Sequence, residues 1–181
     1  MPFLTALVAL VGAVCLLDLA LTLGVIRKLR EHADLISRPS AGGGAERPPM
    51  LPAGEVAAPF DAVDTAGEPV SRDALTGRTL VGFFTPSCDA CTERMPGFLA
   101  DAAAFPGGRD RVLAVIAAGV GEDPSAYRDR LGGVARVVVE PHRTGIAKAL
   151  AVRGLPTFCV LDETGRVVET GLPSDRSPVP A

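Results

Sequence analysis

Leu80-Val81-Gly82-Phe83-Phe84-Thr85-Pro86-Ser87-Cys88-Asp89-Ala90-Cys91 is the stretch on which the reading of this chain turns. An apolar run that ends in Thr-Pro-Ser reads as a buried strand. It runs into a C-x-x-C and then a helix starting at about Cys88, and that context is more specific than the pair of cysteines alone. At a helix N-terminus the unpaired backbone N–H groups and the dipole stabilise a thiolate, so Cys88, in the first turn, is expected to be exposed and nucleophilic. Cys91, one turn on, faces inward and is placed to resolve a mixed disulfide.

Downstream, Cys91, Met95, Phe98, Leu99, Ala102 and Phe105 recur at helical spacing and form a stripe that packs the helix on a sheet. Pro96 interrupts the hydrogen-bond ladder of that helix and is expected to bend it. Strands are expected at Thr79–Phe84, Val112–Ala117 and Ala135–Val139, with helices around Ser125–Leu131 and Thr144–Ala151. Thr157–Leu161 and Val167–Thr170 read as a hairpin across the turn-rich Asp162-Glu163-Thr164-Gly165. This order predicts an α/β domain with a central mixed sheet flanked by helices. Gly154-Leu155-Pro156-Thr157 leads into the hairpin. A proline there cannot donate to the ladder; it either takes a cis bond that leaves backbone free for a partner or is an ordinary trans turn proline, and spacing does not choose.

The chain has 181 residues, a formal charge of −3, one Tyr and no Trp. It has neither the basic surface nor the aromatic platforms of a nucleic-acid binder. Phe3 to Ile26 is almost unbroken Leu, Val and Ala with Asp18 its only charge, long enough as a helix to cross a hydrocarbon core of about 30 Å. Basic residues follow this run and no small-x-small site does, so an uncleaved single-pass anchor over residues 3–26 is expected. Residues 27–53 hold Arg27, Lys28, Arg30 and then Pro39, Gly42, Gly43, Gly44, Pro48 and Pro49, a juxtamembrane segment and linker. A catalytic domain is expected over 54–172 and a Pro-rich tail over 173–181. The chain is too short beyond the hairpin for another helix, so one face of the sheet is expected to lie open or under a partner.

The strand, the C-x-x-C helix with Pro96, and Gly-Leu-Pro-Thr-Phe before the last hairpin resemble the thioredoxin superfamily. The apolar N-terminus, the Ala58-Pro59-Phe60 entry and Phe84-Thr85-Pro86-Ser87-Cys88 resemble the membrane-anchored TlpA/ResA-like redoxins, most closely the MauD-like branch. The resemblance implies a thiol-disulfide oxidoreductase with Cys88 attacking, Cys91 resolving and Pro156 as the cis-proline opposite them. Thr85, Pro86, Ser87, Leu155 and Thr157 are the expected substrate contacts. It implies a protein disulfide as substrate, a redox donor protein as partner, a role in maturation of another protein, and a domain outside the cytoplasm. The positive-inside rule, counting Arg27, Lys28, Arg30 and Arg38, argues for the cytoplasmic side instead. No cofactor or metal is expected.

Three positions depart from the relatives: Ser87 replaces a frequent Trp, Gly82 a buried Asp of thioredoxin, and Arg94 a Glu. Gly82 leaves the proton route to Cys91 open to question, Arg94 is expected to favour a thiolate, and Asp89 beside Cys88 opposes one, which disfavours a strong oxidase. Cys15 and Cys159 read as inert buried thiols. His142 reads as a loop histidine. A copper-binding module using Cys88, Cys91 and His142 is the first alternative, against which the cysteine spacing argues. A thiol peroxidase is the second, with Thr85 in its favour and Val81 standing where such enzymes carry proline. A non-catalytic module with a structural disulfide is the third.

Overall fold

The computed structural model describes residues 48–175. In chain order the elements are β1 (Asp61–Val63), β2 (Pro69–Ser71), β3 (Thr79–Phe84), α1 (Asp89–Ala104) and β4 (Val112–Ala117). Then come α2 (Ser125–Leu131), β5 (Arg136–Glu140), α3 (Gly145–Ala149), β6 (Thr157–Leu161) and β7 (Val167–Thr170). No helix among the described residues is long and apolar enough to cross a membrane, and the expected anchor at Phe3–Ile26 lies outside them.

The main sheet has five strands in the order β5-β4-β3-β6-β7. β3, β4 and β5 run parallel, while β6 and β7 are antiparallel additions on the other side of β3. β3, β4 and β6 are buried at every position, as unbroken apolar strands must be when both faces are covered. Period-two alternation splits the core. Leu80 and Phe84 join α1, α2, Phe158 and Val160 on one face; Val81 and Phe83 join α3, Cys159 and Leu161 on the other. Register Phe83 to Thr157 then sets Leu155 and Pro156 beside the loop that follows Phe84.

Boundaries differ from expectation where a backbone group is already engaged. β5 starts at Arg136, not Ala135, because the Ala135 N–H closes the turn after α2 on the Leu131 carbonyl at 2.9 Å. α3 stops at Ala149; Ala151 takes φ 49° and the Val152 N–H turns back to the Ala147 carbonyl at 2.9 Å. The β1–β2 hairpin was not expected. Its turn is built by Asp64, whose Oδ1 accepts from the N–H groups of Ala66 and Glu68 at 3.0 and 2.9 Å.

The fold also begins and ends beyond the expected 54–172. Met50 is buried, and the Leu51 N–H donates to the Leu150 carbonyl at 2.8 Å, so the last linker residues belong to the core. The sheet face beside α1 is not left open as expected. Leu172 is 1% exposed and sits over Gly97, and a 3-10 turn at Pro173–Asp175 lies against α1. Ser174 holds Asp101 through its N–H and hydroxyl at 3.0 and 2.9 Å, and Arg94 pairs with Asp175.

Candidate active site

β3 delivers the chain at Phe84 to Thr85-Pro86-Ser87, and the next residue caps α1. Cys88 is the N-cap, with extended backbone at φ −118° and ψ 114°, and its Sγ accepts from the Cys91 N–H at 3.3 Å. A sulfur thus stands where a Ser or Asp oxygen commonly caps a helix, facing that N–H and the positive end of the helix dipole. Cys88 is partly exposed; Cys91 is wholly buried. Both are free thiols. Burial, and then the Cys88 sulfur to which it donates, push the Cys91 thiol up to about 12, only partly opposed by the Thr85 backbone. Cys91 therefore keeps its proton at neutral pH.

The peptide bond from Leu155 to Pro156 is cis, the alternative that spacing left undecided. Across it, Cys88 Sγ lies 3.8 Å from the Leu155 carbonyl oxygen. Thr157 is buried in β6 and its hydroxyl donates to the Gly154 carbonyl at 2.5 Å, closing the loop on itself instead of facing a ligand. Thr85 is likewise buried, its hydroxyl 3.4 Å from that of Ser87. Pro86 and Leu155 are half-buried and Ser87 is exposed. Of the residues expected to touch substrate, Thr85, Ser87 and Leu155 line one groove with Cys88.

Two departures from the relatives acquire a physical account. A Cβ at Gly82 would fall 2.5 Å from the Phe98 ring, so an aromatic edge fills the space that any side chain at this position would need. Arg94 does not wait on the cysteines: it pairs with Asp175 and stands 5.8 Å over the Phe158 ring. Cys159 is fully buried in β6, and burial raises its thiol, as an inert core cysteine requires.

What the sequence did not foretell is the opposite wall. Glu122 accepts from the Gly119 N–H at 2.6 Å, from the Ser87 hydroxyl, and lies 3.2 Å from His142 Nε2. The Gly119 N–H first, then Ser87 and His142, lower its carboxyl. His142, expected as a plain loop residue, lines the same groove as Cys88 together with Arg143 and Arg153. These residues sit on three separate loops with no shared spacing, so no local signal could have grouped them. Among the described residues no three His, Cys, Asp or Glu side chains are set to hold a metal.

A Redoxin family model matches residues 50–180. The chain belongs to the Redoxin family. Among solved structures, this redoxin is similar to a thiol:disulfide interchange protein from Bacteroides sp., at 21% identity and TM-score 0.54, over 69% of this chain and 84% of that one. It is similar to a thio-disulfide isomerase from Thermus thermophilus at 21% identity and TM-score 0.52, over 67% and 87% of the two chains. An uncharacterized conserved protein from Geobacillus kaustophilus matches at 20% identity and TM-score 0.56, over 72% and 77%. These likenesses carry the fold, which is thioredoxin-like. No curated protein sequence matches the redoxin.

Proposed function

We propose that this redoxin is a membrane-anchored thiol-disulfide oxidoreductase of the TlpA/ResA type, nearest the MauD-like branch. It acts on protein disulfides as a reductase or isomerase in the maturation of another protein. The observation that carries this reading is the pairing of a partly exposed N-cap thiol with a buried one, 3.8 Å from the carbonyl before a cis-proline.

Cys88 thiolate attacks one sulfur of the substrate disulfide; the other sulfur leaves as a thiolate and the mixed disulfide forms. Once Cys88 is bonded to substrate, its negative charge no longer holds the Cys91 proton, and only burial still opposes ionisation. The departing thiolate takes that proton. Cys91 then attacks Cys88 Sγ, the second substrate sulfur leaves and is protonated by solvent, and two electrons have passed from the pair to the substrate. A donor dithiol protein must reduce the Cys88–Cys91 disulfide to close the cycle.

Cys91→Ser is expected to accumulate a mixed disulfide with substrate, and Cys88→Ser to abolish insulin reduction. Retained insulin-reductase activity in Cys88→Ser would refute the scheme. For sidedness we take the soluble domain to lie outside the cytoplasm, on the family resemblance and against the basic residues that follow the expected anchor. A membrane-impermeant maleimide that labels Cys88 in intact cells supports this; labelling only after lysis puts the domain inside.

A further inference from the structure

The groove at Cys88 has a volume of about 470 Å³ and holds three basic side chains in its wall, His142, Arg143 and Arg153, and no carboxylate. Both arginines are exposed, and neither guanidinium has a hydrogen bond or ion pair among the described residues. Arg78, Arg94 and Arg136, elsewhere on the domain, each find an acidic partner. Two carboxylates are bonded to this wall, and both are already engaged: Glu122 by the Gly119 N–H, Ser87 and His142, and the buried Glu140 by the N–H groups of Ile146 and Ala147. The groove is thus a cationic patch on a chain whose formal charge is −3.

The backbone beneath both arginines is held. Arg143 takes φ 57°, left-handed backbone that a glycine adopts more readily, in a turn closed by the Thr144 hydroxyl on the Pro141 carbonyl at 2.8 Å. The Arg153 N–H donates to the Pro49 carbonyl at 2.7 Å, two residues before the Leu155 carbonyl that faces Cys88. Two guanidinium heads without a partner among the described residues, carried on held backbone beside a reactive sulfur, are suited to a substrate that brings its own negative charge.

We propose that this groove selects disulfides flanked by carboxylates, with an acidic segment of the substrate protein lying along Arg143 and Arg153 while its disulfide meets Cys88. The inference rests on the oxidoreductase reading and names its substrate class.

The test uses the full-length, pre-reduced protein in single-turnover reduction of disulfide-bonded peptides that differ only in flanking Glu or Lys. The rate ratio between the two peptides is read within each enzyme, so loss of active protein cancels. Wild type is expected to favour the Glu peptide by roughly tenfold at low salt, with the preference shrinking as salt rises. The double variant R143E/R153E is expected to invert the ratio. Arg143→Gln and Arg153→Gln, single changes on exposed side chains, should each lower it and serve if the reversed pair does not fold. Equal rates on the two peptides, or a preference that survives these substitutions, overturn the proposal. Failure of the oxidoreductase reading looks different: wild type would then reduce neither peptide nor the uncharged 2-hydroxyethyl disulfide.

Discussion

Gly82→Ala measures how tightly the α1 face of β3 is packed. The new Cβ would lie 2.5 Å from Phe98 Cε2 and 3.0 Å from both Phe98 Cδ2 and Phe84 Cε2. Carbon contacts are comfortable near about 3.5–4.0 Å, so the Phe98 ring must retreat by about 1 Å. It has no slack. Phe98 is 0% exposed, edge-on to Phe84 at 5.1 Å and stacked on Phe158 at 5.8 Å. Overpacking of this kind costs about 1–3 kcal/mol, against which the stiffer unfolded chain of alanine returns at most about 1 kcal/mol. A net loss of about 1–2 kcal/mol is expected. Phe98→Leu should make room, so that in that background Gly82→Ala costs less by about 0.5 kcal/mol or more. Gly82→Asp should be worse than Ala in both backgrounds, since it adds a buried carboxyl. The assay is urea unfolding of the six combinations, read as midpoints at constant m-value. If Gly82→Ala leaves the midpoint unchanged or raises it, the reasoning fails.

Asp64 is buried at the β1–β2 turn; burial raises its carboxyl, but the Glu68 N–H, the Arg136 guanidinium and the Ala66 N–H together outweigh this and lower it. Its contribution is present above the ordinary value of 3.8 and lost as pH falls through the lower, folded value. Asp64→Asn should therefore destabilise by about 1–3 kcal/mol at pH 7 and flatten the acid limb of a stability-against-pH curve. Glu140 is buried, which raises its carboxyl, and its two oxygens accept from the N–H groups of Ile146 and Ala147 at 3.0 and 2.8 Å. Glu140→Ala strands both donors and should cost about 1–3 kcal/mol in thermal or urea unfolding. Cys91 holds its proton to about 12 when folded but to 9.0 ordinarily, so the unfolded chain binds fewer protons between those values. Stability should fall as pH rises through that window, and Cys91→Ala should remove part of the slope. In the native reduced protein, peptide mapping after brief iodoacetamide treatment should find Cys88 modified, with Cys91 and Cys159 reacting only after denaturation.

The parts of the fold legible in the sequence are those whose cause is local. β3, β4 and β6 fall where apolar runs put them, because a strand buried on both faces can hold little else, and α2 and β7 fall between the turn residues that bound them. The β1–β2 hairpin escaped because its strands are three residues each, too short to show a period. The short ending misled for a related reason. One buried side chain, Leu172, and a single turn cover a face expected to lie open or under a partner, and no pattern marks a lone anchor.

In the site, the sequence by itself determined the cysteine pair and its polarity: a strand running into C-x-x-C at a helix start makes the first sulfur a cap and buries the second a turn later. Only the tertiary structure decided what surrounds that sulfur. Register between β3 and β6 brings Leu155 across from Cys88; packing of α1 puts Phe98 into the space over Gly82; and loops far apart in the chain gather Glu122, His142, Arg143 and Arg153 at one groove. Local patterns encode which face of an element is buried. Which loops then meet depends on strand order and helix packing, and that is a property of the whole sheet.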